Sequence, residues 1–467
     1  MWKNSMKTRF SPSPTGSMHI GNVRTALFSA LYAKAHHGQF LLRIEDTDRE
    51  RSETRYERQI YDDMHWLGLE WQEGPDKNQG NGPYRQSERQ DIYDKYYGKL
   101  QESGAAYPCF CTEQELAIAR KTQLAAGKPP RYTGKCAGLS KAEIDAKIQS
   151  GLKPCLRFRL PTNHMIEFID LVKGAQRFNS DDIGDFIIRR ADGTSPFMFC
   201  NAVDDALMGV THVVRGDDHV TNTPRQILIL EALGLNLPQY AHVSMIIGFD
   251  GAPLSKRHGS SSLTDLKNAG FLPQAIMNYL ARLGHPYDNQ LLTFDELARS
   301  FDLEHISASP AKFDEKQLEH WQKEAVQYVD SETLWQWMGE SVHSIVPTEL
   351  KNTFIAIVRP NVLLPDDAFY WADVLFHAVH PIDENEMIVL KEAGENYFSC
   401  AVKAVNKFGM DYKAVMAMLK DELKLKGKAL FMPLRIALTG EMHGPELIHV
   451  FELLGKDELV KRLKAVS

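Results

Sequence analysis

Two hydrophobic periods succeed each other in the first forty-five residues. Residues 7–11 (KTRFS) read as a short strand, and SPSPTGSM behind it supplies turn chemistry: two prolines, a glycine and several serines. Val23, Ala26, Leu27, Ala30 and Leu31 then recur at i, i+3, i+4, i+7 and i+8, the one-face spacing of an amphipathic helix, with Gly38 placed to stop it. Residues 40–44 (FLLRI) are a continuous apolar run with one arginine, as a buried parallel strand requires. Strand, loop, helix, strand is a βαβ unit, the opening of a doubly wound nucleotide-binding sheet. The G-x-G-x-x-G loop of dinucleotide binding is absent, so a different loop chemistry is expected.

Further on, residues 87–103 look helical. A stretch from about 105 to 190 carries a cysteine cluster and basic, proline-containing loops, and reads as an insertion because a new apolar βα pattern resumes near residue 200. HVVRG (212–216) is expected to be a strand end, Pro224 to sit in the first turn of the helix RQILILEALG, and VSMIIG (243–248) to be another buried strand leading into the loop DGAPLSKRHGSSS. From about 265 the periodicity is mainly helical, without repeats or low-complexity tracts. Between Lys403 and Lys428 seven lysines face only Asp411, Asp421 and Glu422.

At 467 residues the chain exceeds what one hydrophobic core supports, and about three domains are expected. The apolar share of 43% and charged share of 25% are ordinary for a globular protein. No run of about 18 apolar residues suits a membrane span, and MWKNSMKTRF lacks the apolar region of a secretory signal. Six cysteines in so long a chain argue against a disulfide scaffold and for a reducing compartment, so a cytoplasmic protein is expected. A net charge of −7 does not advertise a nucleic-acid binder, though an acidic enzyme can concentrate cations where phosphates approach.

Two motifs carry chemistry. In residues 11–22 (SPSPTGSMHIGN), where the first strand gives way to a helix, backbone N–H groups and the helix dipole point at any bound anion. There Gly21 lets a flat base approach the backbone, His19 can donate to phosphate oxygens, and Asn22 offers neutral donors. The second is Leu254-Ser255-Lys256-Arg257-His258-Gly259, in a loop after a late strand, where Lys256 is a cation suited to ATP phosphates. Alone, the first is a histidine capping a helix and the second a solvated turn. Together, in this order, they resemble the HIGH and KMSKS motifs of class I aminoacyl-tRNA synthetases, with Asn22 in place of the second histidine and Pro253 in place of the first lysine. RFSPSPTGSMHIGNVRTALF, FLLRIEDTDRERS, WLGLEW, AVDDALMGVTHVVRGDDH, TPRQ and LSKRHG, with the ending PLRIALTGEMHGPEL, narrow the resemblance to the bacterial glutamyl-tRNA synthetase family over essentially the whole chain.

That resemblance implies an α/β protein: a Rossmann-like doubly wound parallel-sheet catalytic domain, split as 1–104 and 191–250, with an inserted α+β acceptor-binding domain at 105–190. A loop and stem-contact region at 251–330 and an all-α anticodon-binding region at 331–467 follow. It implies ATP with Mg²⁺, L-glutamate and tRNA-Glu as substrates, a monomer, and ATP contacts from Gly16, His19, Gly21, Asn22, Ser255, Lys256 and Arg257. Glutamate carries two carboxylates and one ammonium, for which Arg9, Arg215 and Glu45 provide two planar cations and an anion. By resemblance Ser11, Ser13 and Asn201 also line the amino-acid site, and Phe197 stands where relatives have a tyrosine. Cys109, Cys111 and Cys136 are spaced to hold zinc, which wants a fourth ligand. Some relatives use a histidine at the place of Gly138, another a tyrosine, here Tyr132; an empty, degenerate site is the other reading. Cys155, Cys200 and Cys400 are expected to be packing residues. Anticodon choice, tRNA-Glu alone or tRNA-Gln as well, is assigned to the helical region, with Arg435 the candidate reader. Two rivals remain: another nucleotidyltransferase with an H-x-G-H-like loop, and a non-catalytic RNA-binding paralogue.

Overall fold

The computed structural model describes residues 6–48, 52–254 and 262–466. The chain falls into two compact units, one of residues 1–266 and 276–315, the other of 267–275 and 316–467.

The first unit begins with the expected βαβ. Strand β1 (Lys7–Phe10) lies parallel to β2 (Gln39–Leu42), with Arg9 opposite Leu41, and helix α1 (Ile20–Ala35) connects them. The spacing predicted one apolar face, yet Val23, Ala26, Leu27, Phe28, Ala30, Leu31 and Ala33 are all buried, so α1 is enclosed on most sides. Its end differs from expectation as well. His37, not Gly38, takes the left-handed conformation (φ 53°), and the Gly38 N–H reaches back to the Ala33 carbonyl at 2.8 Å, a Schellman closure. Gly38 is needed for a different reason: a Cβ there would meet the Met6 carbonyl oxygen at 2.3 Å.

Helices α2 (Thr54–Trp66) and α3 (Gln90–Glu102) follow. The next stretch contains β3 (Ala106–Cys109), α4 (Glu113–Ala125), α5 (Lys141–Gln149), β4 (Cys155–Phe158), β5 (Met165–Asp170), β6 (Gly174–Asn179), α6 (Ser180–Ile183) and β7 (Phe186–Arg189). Strands β3, β4 and β7 make an antiparallel sheet of their own. The β5–β6 hairpin instead joins the strands that come later: β8 (His212–Gly216) runs parallel to β9 (Gln239–Val243), and β5 continues that sheet where Asp170 pairs with Tyr240, in the order β6-β5-β9-β8. Helices α7 (Phe197–Leu207) and α8 (Thr223–Ala232, Pro224 in its first turn) flank it. The late strand is thus QYAHV. VSMIIG supplies only its last residue and the two-residue β10 (Ile246–Ile247), because Val243 already ends the run paired with β8. Strand β1 meets β8 through the Thr211 N–H on the Lys7 carbonyl (2.9 Å) and Arg9 Nη1 on the Val214 carbonyl (3.2 Å). Under the sheet, Tyr97, Phe199, Val203, Val213 and Ile229 belong to one buried cluster.

The second unit is built of helices among its described residues. The helix Glu384–Phe408, kinked at Gly394, packs against Tyr412–Leu423, Lys428–Thr439 and Leu447–Ala465. Among the described residues, no helix is long and apolar enough to cross a membrane.

Candidate active site

The carboxyl ends of β1, β8 and β9 and the start of α1 meet at one cavity of about 500 Å³, where loops of an open parallel sheet converge. Arg9, Ser11, Ser13, His19, Gly21, Asn22, Glu45, Phe197, Asn201 and Arg215 all line it. Of the residues expected to meet ATP, Gly16 is not in its wall, and Ser255, Lys256 and Arg257 lie outside the described residues.

His19 is the N-cap of α1. Its Nδ1 accepts from the Gly21 N–H at 3.1 Å, and a Cβ on residue 21 would press on the ring at 3.3 Å. Burial lowers its pKa, against a hydrogen bond to the Leu254 backbone that raises it. Ser262 pairs with His19 in an antiparallel bridge, and the Leu263 N–H donates to the Met18 carbonyl. The residues flanking 255–261 on both sides, Leu254 and Ser262, therefore lie against His19. Arg24, one turn along α1, donates to the carbonyls of Ser244 and Leu283 and ties the helix to the end of β9.

At the other end of the cavity sits a buried charge cluster. Arg9 donates through Nε to both carboxylate oxygens of Asp205 (3.1 and 3.2 Å), and Arg43 bridges Asp205 (2.7 Å) and Glu45 (3.1 Å). Burial pushes the Asp205 carboxyl up, but the charges of Arg9 and Arg43 outweigh it and hold it below the usual range. For Glu45 burial prevails and its pKa is raised, although Asn201 Nδ2 donates to it at 2.6 Å and Arg43 and Arg9 are near. Burial drives the Arg215 pKa down to about 10. Arg215 is 5% exposed, and its Nη1 has no hydrogen-bond partner among the described residues. An unpaired buried guanidinium nitrogen is costly unless something anionic meets it. Arg43 and Asp205 were missed by sequence reasoning. Their signals were present: one arginine within an apolar strand, and the acidic pair in AVDDAL.

The cysteines converge elsewhere in this unit. The sulfurs of Cys109, Cys111 and Cys136 lie within 4.8 Å of one another, and Tyr132 Oη is 3.4 Å from Cys109 Sγ and 3.5 Å from Cys111 Sγ. Tetrahedral ligands at zinc–sulfur distances of about 2.3 Å stand about 3.8 Å apart, so the set fits zinc; Cys111 and Cys136 are 3.7 Å apart. Hydrogen bonding from Cys155, with Tyr132 and Arg157, brings the Cys109 thiol down to about 4. Cys155 is thus not a mere packing residue: it faces Cys109 across the β3–β4 ladder. Cys200 and Cys400 are buried, as expected.

In the second unit Arg435 is half-buried, and its Nη1 donates to the Pro445 carbonyl at 2.8 Å. The seven lysines of 403–428 are all exposed, and none forms an ion pair among the described residues.

Residues 5–320 match the family described as tRNA synthetases class I (E and Q), catalytic domain, and residues 349–467 an anticodon binding domain. The chain is 54% identical over 460 residues to glutamate--tRNA ligase 1 of Coxiella burnetii, covering 98% of this chain and 99% of that protein. It is 53% identical over 465 residues to glutamate--tRNA ligase 2 of Nitrosococcus oceani, covering 99% and 98%. The crystal structure of a glutamate tRNA ligase from Elizabethkingia meningosepticum in complex with its amino acid is similar at a TM-score of 0.89 and 29% identity, over 99% of each chain.

Proposed function

This chain belongs to the class I tRNA synthetases of the E and Q group, among the glutamate--tRNA ligases, and on that premise we propose that Arg9 and Arg215 receive the carboxylates of L-glutamate and Glu45 its ammonium. The enzyme ligates glutamate to tRNA in two steps. The α-carboxylate of glutamate attacks the α-phosphorus of ATP, and pyrophosphate leaves with the bonding pair. A terminal ribose hydroxyl of tRNA then attacks the carbonyl of the glutamyl-adenylate, and AMP leaves. Class I synthetases use ATP with Mg²⁺, and no protein nucleophile is needed, because positioning and charge stabilisation supply the rate. In this reading His19 and Lys256 stabilise the charge that grows on the phosphates, with Gly21, Asn22, Ser255 and Arg257 around the nucleotide. Ser11, Ser13, Phe197 and Asn201 line the amino-acid end.

The observation that carries the pocket assignment is the buried Nη1 of Arg215 in the wall of the cavity, without a hydrogen-bond partner among the described residues. A neutral amide cannot compensate that charge as a carboxylate does, so glutamine is rejected. ATP–pyrophosphate exchange with glutamate or glutamine, with and without tRNA, is the test. Exchange supported by glutamine as well as by glutamate would overturn the assignment.

The finer readings are a tRNA-Glu substrate, Arg435 as a contact that reads the anticodon, and one structural zinc held by Cys109, Cys111, Cys136 and Tyr132. The sulfur and oxygen spacing supports the zinc. The resemblance of PLRIALTGEMHGPEL to the anticodon-binding end supports Arg435.

A further inference from the structure

Behind the cavity wall lies a chain of buried polar groups that the reaction above does not use. His242, on β9, is fully buried, as is Asp170 at the end of β5. Asp170 accepts from the His242 ring at Nδ1 (2.5 Å) and from the backbone N–H groups of His242, Val172 and Lys173. A carboxylate that already accepts from backbone donors wants a donor from the ring, so the ring proton sits on Nδ1 and Nε2 is left as an acceptor. Arg215 Nε points at that Nε2 at 3.1 Å. Thr223 Oγ1, also near Nε2, donates to the His219 carbonyl and accepts from Arg215 Nη2 at 2.8 Å. Two of the three Arg215 nitrogens are thus held from behind, and Nη1 remains, buried and without a hydrogen-bond partner among the described residues, in a residue that lines the cavity. A proton on Nε2 would set two donors against each other and push the guanidinium off this place.

We propose that His242, its tautomer set by Asp170, is a positioning residue for glutamate: its Nε2 accepts from Arg215 and so holds the remaining guanidinium nitrogen toward a substrate carboxylate. The proposal rests on the glutamate pocket described above and adds to it. A planar fork gains its specificity from being held in one orientation, and side-chain anchors behind a ligand-binding arginine confer that orientation.

Two substitutions separate positioning from mere packing. Asparagine at 242 keeps a donor near Asp170 and loses the acceptor toward Arg215; glutamine places an acceptor toward Arg215 and loses the donor. Steady-state charging with the full chain is measured for His242→Asn, His242→Gln and Asp170→Asn, with KM for glutamate, KM for ATP and kcat read separately. Expected is a rise in KM for glutamate of about tenfold to a hundredfold for His242→Asn, the range for losing one hydrogen bond to a charged group. A much smaller rise is expected for His242→Gln, with KM for ATP unchanged in both. Asp170→Asn, which can donate to Nδ1 and force the proton to Nε2, should behave as His242→Asn does. If His242→Gln is the worse of the pair, or if neither moves KM for glutamate while thermal stability falls, His242 is structural and the inference is overturned. Wild-type protein that fails to activate glutamate would instead sink the pocket assignment.

Discussion

His19 has a capping role in the fold and a proposed role at the phosphates, and the two can be separated. The Nδ1 acceptor caps α1, and the ring also meets the backbone of Leu254, whose hydrogen bond raises its pKa against burial. Asparagine is a good N-cap, so His19→Asn should leave stability near wild type, whereas His19→Ala should lose about 0.5–2 kcal/mol. Both should lower the rate of adenylate formation, by about 10²–10³ if the ring serves as one phosphate donor; urea unfolding and pyrophosphate exchange measure the two effects. Lys256→Ala should lose rate on the same scale with stability unchanged, and near wild-type exchange would remove that lysine from the mechanism. At this scale the sequence was a good guide to identity and a poor one to partnership. That Arg9, Glu45 and Arg215 would meet in the wall of one cavity was legible, because a site for glutamate needs two cations and an anion. That Arg9 is also tied to Asp205, and Arg215 to His242, was not legible. Those partners lie 196 and 27 residues away in sequence, and only the order of strands brings them together.

Elements were legible where the hydrophobic period was clear, as in β1, α1 and β2. They were misread where a glycine or an apolar run admitted two explanations. Gly38 looked like a helix stop, but the chain reverses on His37, and Gly38 is glycine because Met6 leaves no room for a Cβ. Gly38→Ala should therefore destabilise by about 1–3 kcal/mol through overpacking. His37→Gly should stabilise by up to about 1 kcal/mol, by relieving a left-handed residue. Equal midpoints for Gly38→Ala and wild type in urea would refute the close approach. The β3–β4 pair presents the cysteine cluster, and there the C-x-C spacing showed three ligands while the register that sets Cys155 opposite Cys109 stayed hidden. Elemental analysis of protein purified without chelator should find one zinc per chain, and Cys136→Ser should abolish it. Metal-free protein with full charging activity would mean the site holds none.

Across the whole molecule, the helical unit is where the choice of tRNA is expected to lie. Arg435 donates to the Pro445 carbonyl and so has a structural hold as well as its proposed part in reading the anticodon. Arg435→Ala should change the ratio of charging efficiencies for tRNA-Glu and tRNA-Gln transcripts by a factor of about five to more than a hundred, the worth of one hydrogen bond to a base. An equal loss on both would leave it only a fold-holding residue. The β5–β6 hairpin has a consequence of another kind. Segments inserted into a domain are commonly exchangeable when few contacts cross their boundaries. Here the stretch between residues 105 and 190 delivers Asp170 into the sheet of β8 and β9, where it accepts from a buried histidine. That stretch is therefore no free cassette: a chimera carrying a relative's version must bring a carboxylate to the same place, or it inherits a buried imidazole with nothing to receive its proton.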